Sequence, residues 1–212
     1  KAGMKGTGTW TGQAALESGE PIPTIIAALH ARALSSLTEE RQLAQKYYKS
    51  AVQPIEARPQ EWKPKIAAAM YASKICSYAQ GFALLQIASK EFSFGFNLAN
   101  IASIWRGGCI IRAAFLDKIR QVFHGDPGCP NLLVDELFVD EIRQRVDDWR
   151  SVVSIALKSG ISLPAMSASL AYFEALRRDN LPANLIQAQR DYFGAHTYER
   201  KDMPGRFHTQ WQ

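Results

Sequence analysis

The 212-residue sequence has little of what most catalytic centres are built from. Its three cysteines, Cys76, Cys109 and Cys129, are odd in number and lack metal-ligand spacing. They predict reduced thiols in a cytoplasmic protein. The four histidines, His30, His124, His196 and His208, are widely scattered, so no helical pair is available for a metal. No serine or cysteine stands in a nucleophile elbow. Long apolar runs are missing as well. The best of them, Ile66 to Ile87, is interrupted by Ser73, Lys74, Ser77, Gln80 and Gln86, which a lipid-facing helix does not tolerate. Alternating strand patterns are absent: the β-branched pairs Ile110-Ile111 and Val152-Val153 fall inside helical patterns. No signal peptide opens the chain, and it starts at Lys1 without an initiator methionine, which predicts a piece of a longer protein.

What is present is ordinary for a globular domain: 47% hydrophobic and 21% charged residues. The net charge of +5 is spread among mixed signs, which suits an anionic substrate and gives no nucleic-acid footprint. The periodicity predicts an all-α fold. A glycine-rich loop over Lys1–Thr9 precedes a short helix from Trp10 to Ser18, stopped by Gly19. Pro21 and Pro23 open a second helix with an apolar stripe at Ile25, Ile26, Leu29, Ala33 and Leu34. A third starts at Thr38. Lys49 to Pro64, with Pro54, Pro59 and Pro64, is expected to be mostly loop. The longest helix, Lys65 to Phe92, is apolar on nearly every side and rich in alanine, as a central bundle helix is. Further helices are expected at Asn97–Trp105, Cys109–Phe123, Leu132–Phe138, Asp140–Ser159, Pro164–Arg177 and Ala183–Gln189. A tail from Tyr192 to Gln212 has no period of its own, and its Phe207 and Trp211 need a surface to cover them, for which another subunit is a candidate.

Several residues invite a chemical reading beside a plain one. Gly3-Met-Lys5-Gly-Thr-Gly8 is either a flexible surface loop or an anion cradle; it has neither P-loop spacing nor a preceding strand. Arg32 lies one position off an apolar stripe, as a half-buried, paired arginine or as a fork for a carboxylate or phosphate. Lys74 and Arg106 are explained more simply by partner carboxylates. Glu136 with Glu141, and Asp147 with Asp148, read as solvated helix faces. Gln187 to His196 is the densest cluster, with Arg190, Tyr192 and His196 within seven residues. Packing around a turn or ligand binding accounts for it equally well.

Three stretches carry a resemblance. The opening Lys1-Ala-Gly-Met-Lys-Gly-Thr-Gly with Trp10-Thr11, the middle Ile104-Trp-Arg-Gly-Gly-Cys-Ile-Ile-Arg112, and the fifteen residues Leu185 to Glu199 resemble signatures of the decarboxylating 6-phosphogluconate dehydrogenases, in their C-terminal all-helical domain. Ala31-Arg-Ala-Leu-Ser-Ser36 and Tyr71-Ala-Ser-Lys-Ile75 fit as well.

The resemblance implies a cytoplasmic homodimer of the pentose phosphate pathway that oxidises 6-phosphogluconate with NADP. Hydride loss from C3, decarboxylation of the β-keto acid and protonation of an enediol would follow in turn. It implies that the Rossmann domain, the general-base lysine and the general-acid glutamate precede Lys1, so that no catalytic or cofactor-binding residue lies in this chain. Lys5 and Arg32 match substrate-contacting residues. Arg190 and His196 match residues donated to the partner subunit's site. Residues 1–196 would then form the substrate-binding and dimerisation domain, with 197–212 a tail packing on the partner subunit. Thr9 departs from the basic residue common before the tryptophan. The chain also lacks the serine- and glycine-rich extension of longer members, so no tail contribution to NADP is expected. No metal, membrane or nucleic acid is implied. The alternative is a catalytically inactive helical oligomerisation module.

Overall fold

The computed structural model describes residues 1–49, 55 and 58–211. Ten α-helices dominate the described residues: α1 Thr7–Ser18, α2 Pro23–Ser36, α3 Thr38–Tyr48, α4 Pro59–Glu91, α5 Leu98–Trp105, α6 Leu116–Gly125, α7 Glu136–Arg143, α8 Val146–Lys158, α9 Pro164–Leu176 and α10 Ala183–Gly194. A 3-10 turn occupies Leu132–Val134. The all-α expectation is met. The chain divides into two compact units, Lys1–Phe173 and Glu174–Gln212.

In the first unit α4 is the axis. Its 33 residues span about 50 Å at the helical rise. Ala69, Ala72, Cys76 and Ala79 are fully buried along it, and these small side chains let α8 approach closely. Phe82 stacks on Phe123 of α6 at 5.4 Å and tilts against Trp105 of α5 at 5.1 Å. Trp149 of α8 is fully buried in the same core. Burial pushes the Cys76 thiol up to about 12, so Cys76 is a packing atom and not a nucleophile.

Ala15 of α1 and Leu84 of α4 form a smaller apolar cluster with Ile22. One polar link joins α2 to α4. The backbone N–H of Thr24 donates to Gln80 Oε1 at 3.0 Å, and Gln80 Nε2 donates to Thr24 Oγ1 at 2.9 Å. Both residues are buried. Thr24 lies in the first turn of α2, where an N–H has no helical partner, and Ile22 at the helix start supplies no side-chain cap. Gln80 therefore caps α2 from a neighbouring helix, and α2 carries Arg32.

Several boundaries differ from expectation. α4 starts at Pro59, not Lys65. Pro59 occupies the first helical position, where a missing N–H costs nothing, and Pro64 loses only one bond near the same end. Pro54 lies outside the described residues. α1 starts at Thr7, inside the glycine-rich loop. α6 begins at Leu116, because Gly108 at φ 70° breaks the run and the Tyr78 hydroxyl bonds the Ile111 carbonyl. The interruption expected near Val139 falls at Gln144–Arg145, since Phe138 and Ile142, four apart, are buried on one continuous face. Asp135 Oδ1 caps α7 by accepting from Leu137 N at 3.0 Å.

The second unit holds α10 and the tail. Strands were not expected, yet β1 Tyr198–Glu199 pairs antiparallel with β2 Arg206–Phe207. Two-residue strands are too short to leave an alternating signal. The tail rings find partners in their own chain. Phe207 lies 6.2 Å from Tyr198, and Trp211 meets Tyr192 edge-on at 5.8 Å.

Candidate functional site

Lys5 is exposed, just before α1. Gly6 follows at φ 98°, a conformation that side chains rarely adopt, and its carbonyl accepts from Trp10 N to start the helix. The segment before it is tied to α2. Ala2 N donates to Ser35 Oγ at 2.8 Å, and the half-buried Arg32 guanidinium donates to the Gly3 carbonyl. The glycine-rich segment and Arg32 therefore meet within the first unit.

Arg190 and His196 belong to the second unit. Arg190 is exposed on α10, and its Nη1 donates to Gln187 Oε1 at 3.1 Å. Gln187 Nε2 in turn bonds the Thr197 carbonyl. His196 sits between Ala195 at φ 48° and Thr197 at φ 62°, on the loop leaving α10. Its ring folds back over Gly194; a Cβ there would lie 2.9 Å from Nε2, so only glycine admits this pose. Gln187, His196, Thr197, Tyr198, Glu199 and Arg206 line a polar recess of about 400 Å³.

Among the described residues, Arg32 and Arg190 are not among the ion-paired arginines, a trait they share with Arg41, which donates to the Ser35 carbonyl. Arg106 is paired with Asp117 at 2.9 Å, Arg145 with Glu141 at 2.7 Å and Arg200 with Asp202. Arg32 and Arg190 are oriented by uncharged carbonyl oxygens, and among the described residues no carboxylate pairs with either. Their positive charge stays available to an anion. Arg106 thus has the carboxylate partner expected of it, whereas Lys74 sits over the Phe115 ring at 5.1 Å.

Sequence reasoning missed two residues here. Gln187 joins Arg190 to the His196 loop. Asp191 is buried and its carboxylate takes four donors: Thr197 N at 3.0 Å and His208 Nδ1 at 2.9 Å on Oδ1, Thr209 N and Trp211 Nε1 both at 3.0 Å on Oδ2. An acidic residue inside an otherwise cationic and aromatic run was the available signal. Burial pushes the Asp191 carboxyl up, but the Thr209, His208 and Trp211 hydrogen bonds and the His208 charge outweigh it and hold the group at about 2. Since this lies below the ordinary 3.8, ionised Asp191 stabilises the folded tail above that value. The contribution is lost as pH falls towards 2. Limited proteolysis within 198–211 is expected to stay slow at pH 5 and above, and to speed up between about pH 4 and pH 2. Acid-active pepsin serves as probe.

Among the described residues no three His, Cys, Asp or Glu side chains gather as a metal site, and no helix is long and apolar enough to cross a membrane. The family model "6-phosphogluconate dehydrogenase, C-terminal domain" matches residues 1–211. The chain is 54% identical over 211 residues to the decarboxylating 6-phosphogluconate dehydrogenase of Synechococcus elongatus, covering 99% of this chain and 45% of that protein. It is 52% identical over 216 residues to the decarboxylating 6-phosphogluconate dehydrogenase 2 of Arabidopsis thaliana, covering 100% and 44%. Plasmodium falciparum 6-phosphogluconate dehydrogenase, solved in its apo form and in complexes with its cofactor NADP+ and its substrate 6-phosphogluconate, superposes with a TM-score of 0.94 at 45% identity. That match covers 99% of this chain and 45% of the other. The chain thus spans less than half the length of these relatives. Sequence and helical architecture agree: the chain belongs to the family of 6-phosphogluconate dehydrogenase C-terminal domains.

Proposed function

We propose that this chain is the substrate-binding and dimerising part of a cytoplasmic, NADP-dependent, decarboxylating 6-phosphogluconate dehydrogenase of the pentose phosphate pathway. The observation that carries the reading is the pair of guanidiniums held by neutral acceptors, Arg32 by Gly3 and Arg190 by Gln187. With Lys5 they supply cations for a sugar phosphate, each charge-assisted bond contributing about 1.5–3 kcal/mol. His196 serves a sugar hydroxyl or a phosphate oxygen. NADP, which accepts the hydride when bound, is assigned to an N-terminal Rossmann domain, and no residue of this chain is assigned to it.

Residues 1–196 form the substrate-binding and dimerisation domain in this reading, and 197–212 the tail that packs on the partner. Support for a second copy comes from α10. Leu185, Ile186 and Phe193 are 66%, 61% and 81% exposed beside Arg190, a costly apolar face for a lone chain. A homodimer covers it and shares Arg190 and His196 between sites.

The test is direct. Joined to a family N-terminal half, the chain is expected to reduce NADP with 6-phosphogluconate and release carbon dioxide. A folded dimer that makes no NADPH and shows no calorimetric binding of 6-phosphogluconate would establish the inactive oligomerisation module instead.

A further inference from the structure

Resting on the substrate-site reading above, we propose that Asp191 is a positioning residue: its carboxylate draws the C-terminal tail back onto α10 and so fixes Arg190 and His196 for the substrate. Sequence places Asp191 directly after Arg190 and five residues before His196. The donors it collects come from both sides of the β1–β2 hairpin, Thr197 before it and His208, Thr209 and Trp211 after it. The carboxylate is acceptor-only, so His208 carries its proton on Nδ1 in this contact.

The His196 loop needs such a clamp. Ala195 and Thr197 both hold left-handed backbone, strained for residues with a Cβ, and such strain persists only where surrounding bonds over-determine it. Thr197 is gripped at both ends of its peptide groups, its N–H by Asp191 and its carbonyl by Gln187. Gln187 also orients Arg190. Release of Thr197 therefore loosens His196 directly and Arg190 through Gln187. An asparagine cannot replace the aspartate, because its one carbonyl oxygen accepts from two donors and its amide N–H₂ would confront the other two.

In the full-length dimer, Asp191→Asn is expected to raise KM for 6-phosphogluconate about tenfold or more with kcat within about twofold, the pattern of lost binding geometry. KM for NADP and the far-ultraviolet dichroism stay unchanged. Trp211→Phe keeps the ring against Tyr192 and removes one donor; a smaller rise in the same KM is expected, and it decides the matter if Asp191→Asn does not fold. Wild-type KM in these variants, beside a raised KM in Arg190→Ala, would overturn the positioning role and leave the site reading intact. A silent Arg190→Ala would bring down the site reading and this proposal together. Parallel losses of kcat, NADP affinity and thermal stability would also overturn it, by marking Asp191 as structural only.

Discussion

In the enzyme proposed above, Arg190→Ala is expected to raise KM for 6-phosphogluconate roughly ten- to a hundredfold, the equivalent of one charge-assisted bond to a dianion. The fold is unaffected, because Arg190 is exposed and its protein partner is the neutral Gln187 amide. Steady-state kinetics with varied substrate measures the effect, and an unchanged KM would refute the assignment. Co-expression makes the test sharper. If each site takes Lys5 from one protomer and Arg190 from the other, Arg190→Ala and Lys5→Ala chains complement. Half the dimers are then mixed, and one of their two sites is whole, so about a quarter of wild-type activity at low substrate returns. Sites contained within a single protomer would regain nothing on mixing.

Gln80→Leu is expected to destabilise the protein by about 2–4 kcal/mol, since it leaves two buried groups of Thr24 without a partner. Leucine fills most of the space, so the loss comes from the orphaned N–H and hydroxyl and not from a cavity. The melting temperature should fall by roughly 5–15 °C. Gln80→Leu with Thr24→Val removes the hydroxyl as well and should recover part of the loss, leaving only the backbone N–H unpaired. Equal stability of the single variant and wild type would refute the capping role. Because α2 carries Arg32, the single variant should also weaken substrate binding.

Much of this was legible beforehand. α2, α3 and α9 could be read from proline or threonine at their starts and apolar spacing along them. The alanines of α4 announced a central helix. Its true start did not show, because three prolines in a row of sixteen residues look like loop whatever the first-turn exception allows. The Thr24–Gln80 link joins residues 56 apart and leaves no local trace. Lys5, Arg32, Arg190 and His196 stood out through resemblance, since composition alone left each divided between a plain role and a chemical one. Asp191 was in plain view within the matched stretch, but its importance depends on the chain folding back from residues 208–211, which no helical or strand period encodes.

Holding guanidiniums with peptide and amide oxygens has an effect on the empty protein. Each guanidinium keeps its full charge while it waits, since the side chain cannot shed its proton and a neutral oxygen does not cancel it. Sulfate or inorganic phosphate in a buffer presents the same kind of charged oxygen as a sugar phosphate. On the substrate-site reading proposed above, the buffer salt therefore sets how many of these groups are already occupied before substrate is added.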